Sequence, residues 1–166
     1  MTGKLRILER YAHGRVRAPS IGSRASVLTM SRPTSAVRLI RAAALTDTAP
    51  YAYAASTDAG APLLFTAGAC PLDESGATVA PGDVAAQARQ CVDNLVTALD
   101  AAGATLGDVA YTRVIVATTV REDLVAAWTV VHDAFGEHEV PSTLHGVTVL
   151  GYPDQLVEIE AVAALR

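Results

Sequence analysis

Near its C-terminus the chain reads Val157-Glu158-Ile159-Glu160-Ala161, and an extended segment sends successive side chains to opposite faces. Val157, Ile159 and Ala161 therefore point one way, and Glu158 and Glu160 the other. Two carboxylates on one strand face have two readings. They are solvated residues of an exposed sheet surface, the commoner fate of glutamate, or they are acid–base groups in a cleft. There, partial desolvation raises a carboxyl pKa and lets it exchange protons with water near neutral pH. Upstream, Pro141-Ser142-Thr143-Leu144-His145 gives Thr143 and His145 the same strand parity. His145 is either a proton shuttle and hydrogen-bond donor or a ring satisfied by a backbone carbonyl. His13, His132, His138 and His145 contain no i, i+4 pair, Cys70 has no evident base beside it, and no Gly-rich phosphate loop is present. Neither a metal site nor a cofactor is expected.

The elements that must carry these residues are organised around Asp83–Val116. Val84, Ala88, Cys91, Leu95, Leu99 and Ala102, with Val92 beside them, share one helical stripe, while Arg89, Asp93, Thr97 and Asp100 fall opposite. Asp83 suits the N-cap and Gly103 the stop. Val109–Ala117 is β-branched and reads as a strand. Leu124, Trp128, Val131 and Phe135 mark a second helix over Arg121–Phe135, ended by Gly136. Strands are expected at Val37–Ala43, Tyr51–Ser56, Pro62–Thr66, Leu144–Leu150 and Leu156–Ala163, with the second and third joined as a hairpin through Thr57-Asp58-Ala59-Gly60. The order is βββαβαββ. It predicts an α+β, two-layer fold, a six-stranded mixed sheet with two helices on one face.

The 166 residues, 51% hydrophobic and 18% charged, suit one domain. A net charge of −4 conceals a division: residues 1–41 hold nine of the thirteen Lys and Arg and one acid, so the remainder is formally −12. Residues 1–35 have no sustained periodicity and read as a basic extension with residues 36–166 as the domain. Disordered tail, targeting peptide and a true start at Met30 are the competing explanations. The acidic body argues against nucleic acid as a partner. No apolar run suits a membrane span or secretory signal, and a cytoplasmic protein with free Cys70 and Cys91 is expected.

Ala49-Pro50-Tyr51, Ala67-Gly68-Ala69-Cys70-Pro71, the run Asp83–Val116 and Val157–Ala161 together resemble the Rid, or YjgF-type, reactive intermediate deaminases, over roughly Val37 to Arg166. The resemblance implies a chorismate-mutase-like fold and a homotrimer with pockets in the clefts between subunits. It further implies that Glu160, the second acid of the Glu-x-Glu pattern, orients a water toward an imine carbon. His145, which shares strand parity with Thr143, is the second catalytic candidate. Tyr51, Gly68, Thr143 and Thr129 are the implied substrate-binding positions. Thr143 stands where the family has an arginine that forks onto the carboxylate of a 2-imino acid, and no Arg or Lys replaces it between Val140 and Leu165. Ala67 and Ala69 stand where the family has serine and glutamine. The expected activity is hydrolysis of an imine or enamine other than a simple 2-imino acid, with release of ammonia. The alternative is a non-catalytic trimer that binds a small molecule, and the acidic body disfavours an endoribonuclease or translation inhibitor.

Overall fold

The computed structural model describes residues 35–166. The basic extension and the alternative start at Met30 lie outside the described residues. The elements are β1 (Val37–Ile40), β2 (Ala54–Thr57), β3 (Leu63–Phe65), α1 (Val84–Ala101), a single 3-10 turn (Leu106–Asp108), β4 (Val109–Ala117), α2 (Arg121–Phe135), β5 (Ser142–Val147) and β6 (Val157–Ala164). The order βββαβαββ and the α+β class are as expected.

The helices form where their apolar stripes meet the sheet. Asp83 caps α1, its carboxylate accepting the Ala86 amide at 2.8 Å, and Gly103 stops it in a left-handed conformation at φ 75°. Ala88, Cys91, Leu95 and Leu99 are sealed from solvent, facing Val114 and Val116 of β4 and Val157, Ile159 and Ala163 of β6. From α2, Ala127, Val131 and Phe135 complete this core. One face of the sheet is thus covered by helices. The other is open.

The strands do not form one sheet. β3, β6, β4 and β5 make a four-stranded mixed sheet in that order, and β1 and β2 pair with each other as a separate antiparallel ribbon. The expected hairpin between the second and third strands is corrected: β3 pairs antiparallel with β6, Leu64 opposite Ala163. The turn hands the chain from one sheet to the other because Leu64 packs into the core beside β6; pairing with β2 would deny it that burial. α2 is the crossover that lets β5 lie parallel to β4.

A register shift between Val109 and Tyr111 decides which β4 side chains face outward. Val109 is buried, and beyond the shift Thr112, Val114 and Val116 are buried. Tyr111, Arg113 and Ile115 therefore share the open face.

Candidate functional site

On that open face the strand registers place side chains in rows. Arg113 on β4 sits between Thr143 on β5 and Glu160 on β6, and the next row is His145, Ile115 and Glu158. As the alternation predicts, both glutamates lie off the core while Val157, Ile159 and Ala161 are buried. Their surroundings differ.

Glu160 is paired with a cation. Its Oε2 accepts a hydrogen bond from Arg113 Nη1 at 2.6 Å, and the Arg113 guanidinium lies 5.8 Å from the centroid of the Tyr111 ring. The Glu160 contact, then Tyr111, raises the Arg113 pKa above its ordinary value. Tyr111 Oη and Thr143 Oγ1 share a 2.6 Å hydrogen bond.

Glu158 is held differently, and against the loop that carries Gly68. Gln155 Nε2 donates to Glu158 Oε2 at 3.0 Å, and the Cys70 thiol donates to the same oxygen at 3.5 Å. Gln155 is itself buried, its Oε1 accepting the Tyr152 amide. A methyl group at Gly68 would overlap the Glu158 carboxylate. The bare glycine is what lets this carboxylate lie flat on the loop. Gly68→Ala is accordingly expected to displace the Glu158 carboxylate from Gln155 and Cys70. The fold stays intact because a flexible side chain absorbs the clash. A crystal structure of the variant beside a thermal melt checks both halves.

The Cys70 thiol reports on the same carboxylate. Burial, and after it the Glu158 charge, push the thiol up from 9.0 to about 11, so at pH 8 it holds less thiolate than a free cysteine. In a Cys91→Ala background, Cys70 is expected to react with iodoacetamide about tenfold or more slowly than free cysteine. Glu158→Gln, which removes the neighbouring charge, is expected to speed that reaction. An unchanged rate would show that the carboxylate does not act on the thiol.

The remaining predicted residues fall elsewhere. His145 is exposed and makes no hydrogen bond among the described residues; it shares a row with Glu158 across Ile115, not with Glu160. Tyr51 belongs to an aromatic cluster, meeting Tyr53 at 6.0 Å and Trp128 at 6.1 Å, both edge to face. Trp128 continues to His132 at 5.9 Å. Thr129 is exposed, and its hydroxyl donates to Val125 O within α2; the α2 residue that touches Tyr51 is its neighbour Trp128. Since α2 covers the helix side of the sheet, the Tyr51 cluster and the two glutamates lie on opposite sides within one protomer. Among the described residues no group of three or more His, Cys, Asp or Glu is placed to hold a metal ion, and no helix is long and apolar enough to cross a membrane.

The sequence profile of the family described as Endoribonuclease L-PSP matches residues 42–165. The chain belongs to this family, the Rid or YjgF-type proteins. It is 35% identical over 126 residues to the 2-iminobutanoate/2-iminopropanoate deaminase of Escherichia coli (strain K12), covering 73% of this chain and 95% of that protein. It is 33% identical over 115 residues to the 3-aminoacrylate deaminase RutC of Acinetobacter baylyi, covering 69% and 86%. The structure of the Rid protein YyfB from Yersinia pestis superposes with a TM-score of 0.73 at 29% identity, over 78% of this chain and 99% of that one. That of the E. coli YjgF gene product superposes with a TM-score of 0.55 at 32% identity, over 72% and 91%. These Rid relatives share the chorismate-mutase-like arrangement.

Sequence reasoning singled out Glu160 and passed over Glu158, Gln155, Trp128 and Arg113. For Glu158 a signal was present, since both acids have the same parity. For Arg113 it was not, because the register shift in β4 sets its face.

Proposed function

We propose that this Rid-family chain hydrolyses the C=N bond of a small imine, or of the imine tautomer of an enamine, and releases ammonia, with Glu158, rather than Glu160, handling the attacking water. The observation that carries this reading is the seat of Glu158: a half-buried carboxylate oriented by Gln155 against the bare backbone of Gly68, with His145 two strands away in the same row. Strands are about 4.8 Å apart, so roughly 10 Å separates the two backbones. A small ligand lying over Ile115 spans that gap.

The chemistry follows from these groups. Glu158 takes a proton as the water oxygen bonds to the imine carbon, the C=N electron pair moves onto nitrogen, and Glu158 hands that proton to the nitrogen, giving the neutral carbinolamine. Glu158 then takes the carbinolamine hydroxyl proton as the oxygen re-forms C=O and the C–N bond breaks. It delivers this proton to the departing nitrogen, leaving the carboxylate as it began. Water and the imine are consumed; a carbonyl compound and ammonia are produced. His145 supplies a hydrogen bond on the opposite wall. Thr143 gives β5 no charge with which to hold a carboxylate, which favours a substrate other than one gripped there in the manner of a simple 2-imino acid.

We also propose a homotrimer. Tyr51 and Trp128 lie on the opposite side of the sheet from Glu158, so they join one pocket only if a second protomer supplies them. The open sheet face also exposes Phe65 (70%) and Leu63 (50%), as an interface between copies would require. The two unbridged thiols fit a reducing compartment such as the cytoplasm, and six arginines against sixteen acids in residues 35–166 disfavour a nucleic acid partner.

The test is ammonia release from 2-iminobutyrate generated in situ by a threonine dehydratase and from the enamine 3-aminoacrylate, in wild type and in Glu158→Gln. Turnover of either in the wild type that the variant loses supports the reading. Silence of the wild type toward both overturns it in favour of a protein that binds small molecules without transforming them.

A further inference from the structure

Three carboxamides, Gln87, Gln90 and Asn94, follow one another along a single edge of α1. Spacings of three and four residues stack side chains one above the next, and Gln90 Nε2 donates to Asn94 Oδ1 at 3.0 Å. The two outer amides reach off the helix to different segments. Gln87 donates to the carbonyls of Ala80 and Asp154, the two non-glycine residues of positive φ, 43° and 58°, among the described residues. Such a backbone persists where its surroundings hold it, and the turn so held delivers Gln155 to Glu158. Asn94 Nδ2 donates to Cys70 O at 2.8 Å and to Leu72 O at 2.9 Å. Those carbonyls belong to the loop on which the Glu158 carboxylate lies, with Gly68 against it and the Cys70 thiol donating to it. Between those two residues, Ala69 exchanges two backbone hydrogen bonds with Ile159, the neighbour of Glu158 on β6.

We infer that Asn94 is a positioning residue for Glu158: from α1 it fixes the loop of residues 68–72 that forms one wall of that carboxylate's seat, as Gln87 fixes the turn that forms the other. The orientation of the Asn94 amide is set by its partners. Each N–H has a carbonyl to bond and the oxygen has the Gln90 amide, whereas the reversed amide would turn its oxygen on two carbonyls. The amide therefore holds two points of the loop at a fixed distance from the helix. Without it the Ala69 bonds remain as a pivot, and the Cys70 end is free to swing its thiol off Glu158. Asn94 also lines an open groove of about 470 Å³ with Gly68, Cys70 and Leu72. Water in that groove replaces the lost donors, so the domain stays folded when the amide is removed. This deepens the deaminase reading and rests on it only for the effect on turnover.

The experiment compares four versions of the full chain in a Cys91→Ala background: the parent, Asn94→Leu, Glu158→Gln and the double variant. Leucine is close in shape to asparagine, removes both donors and adds no charge. Each protein is given a thermal melt, and Cys70 is alkylated with iodoacetamide, a reaction that feels the Glu158 charge without any turnover. Asn94→Leu is expected to speed alkylation about threefold or more. That gain is expected to vanish when Glu158 is already glutamine, because the two changes act through one contact. An unchanged rate in Asn94→Leu overturns the inference. So does an equal gain with and without the Glu158 charge, the sign of a loop that merely loosens. If Asn94→Leu does not fold, Gln90→Leu, which removes only the brace on the Asn94 oxygen, carries the same comparison. Ammonia release from 2-iminobutyrate and 3-aminoacrylate on the same samples separates the two proposals. A fall of about tenfold or more is expected in Asn94→Leu, with none added to that of Glu158→Gln. The expected alkylation pattern without turnover in the parent keeps the positioning role and removes the deaminase; turnover with an unchanged alkylation rate in Asn94→Leu does the reverse.

Discussion

Glu158→Gln is expected to lower kcat/KM for ammonia release by between about 100- and 10,000-fold, the range spanned by removal of a positioned general base, with a melting temperature close to that of the wild type. The amide is nearly isosteric with the carboxylate. Its carbonyl oxygen still accepts from Gln155 Nε2, and it still fits over Gly68, so the contacts that hold the side chain survive. What it cannot do is take a proton from water. Glu160→Gln is the informative partner. Its carboxylate is occupied by Arg113 at 2.6 Å, so its loss loosens the guanidinium without removing a base, and a fall of under about tenfold is expected. Rate measurements on both variants decide between the acids. A Glu158→Gln enzyme at near wild-type rate beside an inactive Glu160→Gln enzyme would return the role to Glu160.

Gln87→Ala is expected to cost about 3–5 kcal/mol of unfolding free energy, the sum of a lost side-chain volume and of buried polar groups left without partners. Gln87 is completely buried on α1. Its Nε2 donates to Asp154 O at 2.8 Å and to Ala80 O at 3.4 Å, and its Oε1 accepts from Leu156 N at 2.7 Å. One amide thus ties the central helix to the segment before it and to the entrance of β6. Alanine orphans the Leu156 N–H and the Asp154 carbonyl on the sides that face the fully buried Gln87 position. Since a domain of this size is stable by only about 5–15 kcal/mol, the loss is a large share of the total. Urea titration should show a midpoint shift at constant slope. Arg89→Ala, two residues away on the exposed side of α1, should stay within about 0.5 kcal/mol of wild type. Equal behaviour of the two variants would show that the bonds of Gln87 contribute nothing. The effect also reaches the site, because the segment Gln87 anchors contains Gln155, which orients Glu158.

Much of the architecture was legible because periodicity reports burial. α2 runs from Arg121 to Phe135 as its apolar stripe predicts, and α1 carries its core on the face that Ala88, Cys91, Leu95 and Leu99 mark out. The parity of β6 was equally plain, since Val157, Ile159 and Ala161 must face one way. The β2–β3 hairpin was misread for an instructive reason. A turn signal shows that the chain changes direction there, not which strand lies beside it afterwards, and β3 gains more by covering the core next to β6. Thr129 and Trp128 show how finely a helix position must be set. One residue is about 100° of rotation, which is the difference between solvent and the Tyr51 ring.

The sequence by itself determined the order of the elements, the helix and strand faces that form the core, the family, and the presence of two outward acids on the last strand. Those properties follow from local pattern: apolar spacing, caps and alternation. The tertiary structure decided which neighbours each of the two acids has and where the cation is. Glu158 and Glu160 are equivalent in parity and differ only in neighbours brought from distant segments, Gly68, Cys70 and Gln155 for one and Arg113 for the other. Arg113 reaches the open face through the register shift between Val109 and Tyr111, because a shift of one residue in a strand with a period of two exchanges its faces.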